Sequence, residues 1–332
     1  MSRLFKNKSL YSKLIITFVI PIILIGCTNK DEEVVEQLEM NKGSIVLDEN
    51  GYYETYNYNN GNYEKINSDY IITAYNSESK NFIYNEKGEY KVNYNGKETI
   101  IEESRKLYNP KLSLDGQYIS YFIKEDYLDL KVKDIETLEY IDINSNVAIS
   151  GDLIDWITND ILVYYGIDNN KVNGIFTYDI KSNEEKLLYK LDRGYIEYIE
   201  VIENGIVFVQ EKGIKEKYLK VLNINGTVEE EIEGISEVKD VEKNSEGIFI
   251  LGKLEDNNYS LYKYSDGNIK RLVYDFPKLI NLEKGLSKDT NGVILFMGSD
   301  ENYNTPSIYA CSDDTISLIN SKEGNYYFID FN

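Results

Sequence analysis

Short apolar runs recur along the chain from residue 43 to its end. SIVL (residues 44–47), NFIY (81–84), YISYFI (118–123), DILVYY (160–165), GIVFV (205–209), GIFIL (247–251) and GVILFM (292–297) are mostly β-branched or aromatic. Counted from Ile45, Phe82, Ile119, Ile161, Ile206, Ile248 and Val293, they stand 37, 37, 42, 45, 42 and 45 residues apart. A surface helix spreads its apolar residues three and four apart. Continuous runs this short instead suit strands covered on both faces.

A tight turn between two further strands follows each run: YNYNNGNYEKI, VNYNGKETI, VKDIETLEYI, TYDIKSNEEKLL, LNINGTVEEEI, YKYSDGNIKRL and YACSDDTISLI. Asn-Gly and Asp-Gly in such places are strong hairpin signals. Another strand precedes most runs, as in YIITAY (70–75), NPKLSL (109–114) and LIDWI (153–157). Four strands recurring about every 42 residues predict an all-β fold, a seven-bladed β-propeller over residues 43–332. Six or eight blades would require one hairpin to be misread. The first unit lacks its inner strand, and NYYFIDF (325–331) is left over after the last hairpin. The economical solution joins the two, closing the ring and removing two sheet edges.

The chain ahead of the repeats has a different character. Residues 1–13 carry Arg3, Lys6, Lys8 and Lys13 and no acid, and residues 14–26 are almost unbroken hydrocarbon. A spanning helix needs about 20 apolar residues. The shorter run behind a basic segment reads as a secretory signal. Leu24-Ile25-Gly26-Cys27 then resembles the lipobox of bacterial lipoproteins. The resemblance implies diacylglyceryl transfer to the Cys27 thiol, cleavage before it and a stable two-chain anchor. Residues 27–42 would be the lipidated cysteine and an acidic, solvated tether. Only Cys27 and Cys311 exist, so acylation of Cys27 leaves no disulfide, and Cys311 is expected as a small buried apolar residue.

Within the repeats, NPKLSLDGQYISYF (109–122) resembles the Pro-x-x-Ser-x-Asp-Gly-x-x-Ile segment of TolB-like propellers and of the propellers in the prolyl oligopeptidase family. TYDIKSNEEKLL (177–188) resembles their Tyr-Asp-x-x-Ser/Thr-Gly segment. The resemblance implies the architecture and a turn at Ser113, Asp115 and Gly116. It carries no function, because one fold hosts many.

Composition narrows the chemistry. With 36 bases, 57 acids and a net charge of −21, the surface would repel nucleic acid and anionic lipid headgroups. Histidine is absent, which removes Ser-His-Asp catalysis and the usual nitrogen ligands of zinc. The sequence contains no Gly-rich phosphate loop and no Asp-x-Asp-x-Asp-Gly calcium spacing, so no cofactor is expected. Asp31-Glu32-Glu33, Glu229-Glu230-Glu231 and Asp313-Asp314 read as solvated faces. The one enzyme class to weigh is a sialidase-like glycosidase, which uses a Tyr nucleophile and three arginines. Beyond the signal the chain has three, Arg105, Arg193 and Arg271. Arg105 and Arg193 fall between one blade's last strand and the next blade's first, while Arg271 falls within a last strand. The expectation is a lipid-anchored, non-catalytic binding or scaffolding module on the extracytoplasmic side of a Gram-positive cell membrane. It would take a protein, peptide or envelope ligand, with Arg105 and Arg193 as ligand-binding forks for an anionic group.

Overall fold

The apolar runs form the second strands of seven sheets, which the computed structural model describes over residues 38–331 apart from 69, 102–106, 204, 275–278, 300–305 and 321–323. The runs are buried on both faces: Tyr118–Lys124 is covered at its first six positions, and Ile294–Ser299 throughout. Outer strands such as Val228–Ile232 and Lys97–Ile100 are mostly exposed. Each sheet is a blade, and neighbouring inner strands meet around a common axis. In blades 2 to 6 these inner strands are Ile71–Tyr75, Leu107–Leu112, Val147–Trp156, Tyr195–Ile202 and Ile235–Asn244. Blade 7 breaks its inner strand into Leu279–Ile280 and Leu286–Lys288, separated by a short 3₁₀ turn at Leu282–Lys284. The fold is the seven-bladed all-β propeller expected from the repeat.

The ring closes as the leftover strand predicts, and then goes further. Asn325–Phe328 pairs antiparallel with Ile45–Glu49 and so becomes the inner strand of blade 1. The chain continues past buried Ile329, and Asp330–Phe331 pairs in parallel with Ile71–Tyr75 of blade 2. The C-terminus therefore crosses two blades.

Turn chemistry follows the sequence. Asn60-Gly61, Asn95-Gly96 and Asp266-Gly267 all have positive φ at both positions, the two-residue geometry that matches strand twist. Asp313 and Asp314 adopt the same geometry without a glycine, and the Asp314 carboxylate is held by Lys263 and Lys270. Ser113, Asp115 and Gly116 form the expected turn: the Ser113 hydroxyl donates to Asp115 at 2.7 Å and accepts from the Tyr118 amide at 3.0 Å. Blade 2 grips this turn, because Asn76 and Asn81 side-chain amides donate to the Leu114 and Gly116 carbonyls at 2.6 and 3.1 Å. A Cβ on Gly116 would stand 2.6 Å from the Ser79 hydroxyl, so the position requires glycine.

Two expectations concern the ends of the described chain. Residues 38–42, expected as solvated tether, dock instead on the ring: Met40 is buried beside Tyr75, whose hydroxyl donates to the Leu38 carbonyl at 2.7 Å. Apolar Leu38 and Met40 gain burial there that a solvated tether would forfeit. Cys27 and the signal lie outside the described residues. Cys311 is fully buried, and burial pushes its thiol up to about 12, so it behaves as a core residue.

Candidate functional site

The inner strands of blades 3 to 6 carry Lys111, Asp155, Glu200 and Asp240, and all four line a central cavity of about 440 Å³. They are held by bonds that cross between blades. Lys111 pairs with Asp155 at 2.9 Å. Asp155 accepts from the Trp156 amide and from the Val201 amide of blade 5, both at 2.9 Å. Asp240 repeats the device, accepting from the Val241 amide at 2.8 Å and from the Leu286 amide of blade 7 at 2.6 Å. Glu200 differs. Its longer side chain meets the Tyr198 hydroxyl, which also donates to Asp240 at 3.3 Å.

Blades 7 and 1 complete the wall. Lys288 pairs with Glu203 at 2.9 Å and Glu242 at 3.5 Å, and donates to the Lys243 carbonyl at 2.6 Å. The Lys284 ammonium stands 3.2 Å from the centre of the Tyr327 ring. Lys42 enters ahead of blade 1, and Phe328, Asp330 and Phe331 bring the C-terminal strap into the same space.

Carboxylates crowded into this depth resist ionisation. Burial raises Glu200 well above the usual carboxylate range, and the neighbouring Asp240 adds to the effect while Lys111 opposes it. Burial pushes Asp240 up to about 6 despite its two amide donors. Burial likewise pushes Glu242 up to about 7 against the pull of Lys288. Asp330, open toward the cavity, is raised by its enclosure in the ring and lowered in part by Lys111. Burial acts to lower Lys111, but Asp155, Asp330 and Glu200 outweigh it and hold the ammonium above its ordinary value. The wall can therefore exchange protons near neutrality and offers groups of both signs to a small solute.

The residues singled out in the sequence lie elsewhere. Arg105 is outside the described residues. Arg193 sits in the connection between Glu184–Lys190 and Tyr195–Ile202, exposed, and pairs with Glu216 at 2.6 Å. It precedes its inner strand, whereas Glu200 lies toward that strand's end, about 20 Å further along an extended chain. Arg271 ends the outermost strand of blade 6, its guanidinium 5.0 Å from the centre of the Tyr274 ring. Neither Arg193 nor Arg271 lines the cavity. Glu229-Glu230-Glu231 lies on the exposed outer strand of blade 5, with Glu231 paired to Lys220. Among the described residues no cluster of His, Cys, Asp or Glu could hold a metal ion.

The fold defines the class: a seven-bladed β-propeller with a charged axial cavity. Its structural neighbours include propellers of peptidases and TolB. The β-propeller domain of the Trilobed protease from Pyrococcus furiosus matches with TM-score 0.50 and 17% identity, covering 76% of this chain and 86% of that one. That domain is described as having an open velcro topology, whereas here the terminal strands pair. Porphyromonas gingivalis dipeptidyl peptidase 4 matches with TM-score 0.54 and 11% identity, covering 84% of this chain and 52% of that one. TolB from Acinetobacter baumannii matches with TM-score 0.44 and 13% identity, covering 87% and 79%. No family model and no curated protein matches the sequence.

Proposed function

We propose that the chain is exported, acylated at Cys27 and held on the extracytoplasmic side of a Gram-positive cell membrane as a non-catalytic binding module for a protein, peptide or envelope ligand. The observation that carries the binding reading is the axial cavity of about 440 Å³, lined by charged side chains whose positions are fixed by bonds between blades. A rigid wall of this kind pre-organises a site, and pockets of this size suit small ligands or one end of a peptide. Arg105 and Arg193 enter the proposal separately, as forks for an anionic group of a partner on the blade-connecting loops. Crosslinking on intact cells followed by recovery of the lipidated protein tests the reading. A defined partner should be recovered with the wild type and lost with cavity or arginine variants that still fold. Equal recovery with every variant would remove it.

One observation favours a second, carbohydrate-active reading: the Tyr198 hydroxyl touches both Glu200 and Asp240, and sialidase-like enzymes combine a tyrosine with carboxylates. The positions of Arg193 and Arg271 away from the cavity weigh against it. Sialoside hydrolysis by the purified protein, abolished by Tyr198→Phe, would establish it.

A further inference from the structure

Two ammonium groups and three carboxylates in the cavity make no direct ion pair among the described residues, although Lys111 and Lys42 act on the acidic groups through space. Lys111 and Lys288 are committed to Asp155 and to Glu203 and Glu242. Lys42 has no hydrogen bond or ion pair among the described residues, and Lys284 meets only the Tyr327 ring. In the same cavity, Glu200 and Asp240 receive a tyrosine hydroxyl, and Asp240 two amides, but neither makes a direct ion pair. Asp330 has neither donor nor ion pair among the described residues. Groups of both signs that face one enclosed space without a direct ion pair are costly to keep charged, and a ligand supplying both counter-charges relieves that cost. A simple cation would leave Lys42 and Lys284 unmatched, and a simple anion would leave the carboxylates unmatched.

We infer that the cavity binds a small zwitterion, of amino-acid or dipeptide size, with its amine against Glu200 and Asp240 and its carboxylate toward Lys42 and Lys284. This rests on the cavity being the ligand site. The amine favours the ionised form of the carboxylates it meets, so binding near pH 6 releases protons from the acidic wall.

Calorimetry on the full-length lipidated protein in detergent, in two buffers of different ionisation enthalpy, tests the inference with three probes: glycylglycine, putrescine and succinate. Glycylglycine should bind saturably with proton release, while the dication and the dianion bind at least about tenfold more weakly. Lys42→Ala with Lys284→Ala should weaken glycylglycine about tenfold and leave proton release on saturation. Glu200→Gln should reduce proton release, with a thermal midpoint recorded for each variant as a folding control. Putrescine or succinate binding as tightly as glycylglycine would overturn the inference. So would no binding of any probe by a protein that still captures a cellular partner, an outcome that leaves the binding-module reading standing. Glycylglycine binding without any captured partner would support the zwitterion site and count against the partner reading.

Discussion

The Asp240 carboxylate accepts the Leu286 amide at 2.6 Å, tying the inner strand of blade 6 to that of blade 7. The bond spans 46 residues, as does that from the Val201 amide to Asp155. One carboxylate position thus braces two different blade junctions, and backbone amides otherwise unpaired at the axis are satisfied.

Removing either brace should cost stability. Asp155→Ala or Asp240→Ala leaves two amides without their acceptor, and hydrogen bonds to charged groups contribute about 1.5–3 kcal/mol each. We expect a lowered urea midpoint for each variant, with a smaller loss for Asn, which keeps one acceptor oxygen. Gly285→Ala should reproduce the defect by displacing the carboxylate while leaving Asp240 in the chain. Its Cβ would stand 2.5 Å from Asp240 Oδ2, at a backbone φ of 67° and ψ of −166°. A Gly285→Ala protein as stable as wild type would mean that the brace is unimportant.

Closure makes a separate prediction. Tyr326 and Ile329 are buried at the blade 1 seam, and the strap pairs with two blades. Ending the chain at Gly324 should lower the melting temperature in a single transition, because every blade leans on its neighbours. Tyr326→Ala should cost about 3–5 kcal/mol, as for other large aromatic truncations. A truncated chain that melts like the full length would show that the ring holds without its strap.

How much of this was legible beforehand depends on which physical signal carried it. The strand runs and Asn-Gly turns announce themselves because burial on both faces and positive φ each restrict residue choice locally. The leftover strand at 325–331 was legible by subtraction. Docking of Leu38 and Met40 was obscured by the acids just before them. The cavity residues were missed because Asp155 is one charge within the apolar LIDWI and Asp240 one of several in VKDVEK, and only the ring shows that these positions converge. An acid followed by an apolar residue at a similar place in successive repeats was the available signal: Asp155, Glu200 and Asp240 stand 45 and 40 residues apart. The arginines drew attention through rarity, which says nothing about where a side chain points.

Anchoring is testable without reference to the ring. Cys27→Ser should move the protein from the membrane fraction to the soluble or secreted fraction, and mass spectrometry of the wild type should find a diacylglyceryl adduct on Cys27. Quantitative membrane association of the variant, with no lipid on the wild type, would sink the lipoprotein reading.

The acidic wall predicts an unusual pH dependence. In an unfolded chain Asp and Glu titrate near about 4. In the folded ring burial pushes Asp240 up to about 6 and Glu242 up to about 7, and raises Glu200 and Asp330 as well. Between those values the folded state binds more protons than the unfolded state, so stability from these groups increases as pH falls from about 7.5 to about 5. Lysines act on the same wall: Lys288 and Lys42 pull Glu242 downward, and Lys111 does so for Glu200 and Asp330. Below that window the opposite sign takes over. Asp179, held low by backbone amides, and Asp314, held low by Lys263, stabilise the fold only while ionised. Urea midpoints should therefore rise from pH 7.5 toward about 5 and fall on further acidification. Relief of the net charge of −21 acts in the same direction, so a variant must separate the two contributions. Glu242→Gln removes one titrating group and leaves the rest of the surface unchanged. It should gain on the order of 1–2 kcal/mol over wild type at pH 7.5 and much less at pH 5, flattening the profile. An identical profile for wild type and Glu242→Gln would show that Glu242 is ionised at no cost, and that the cavity wall is not under electrostatic strain.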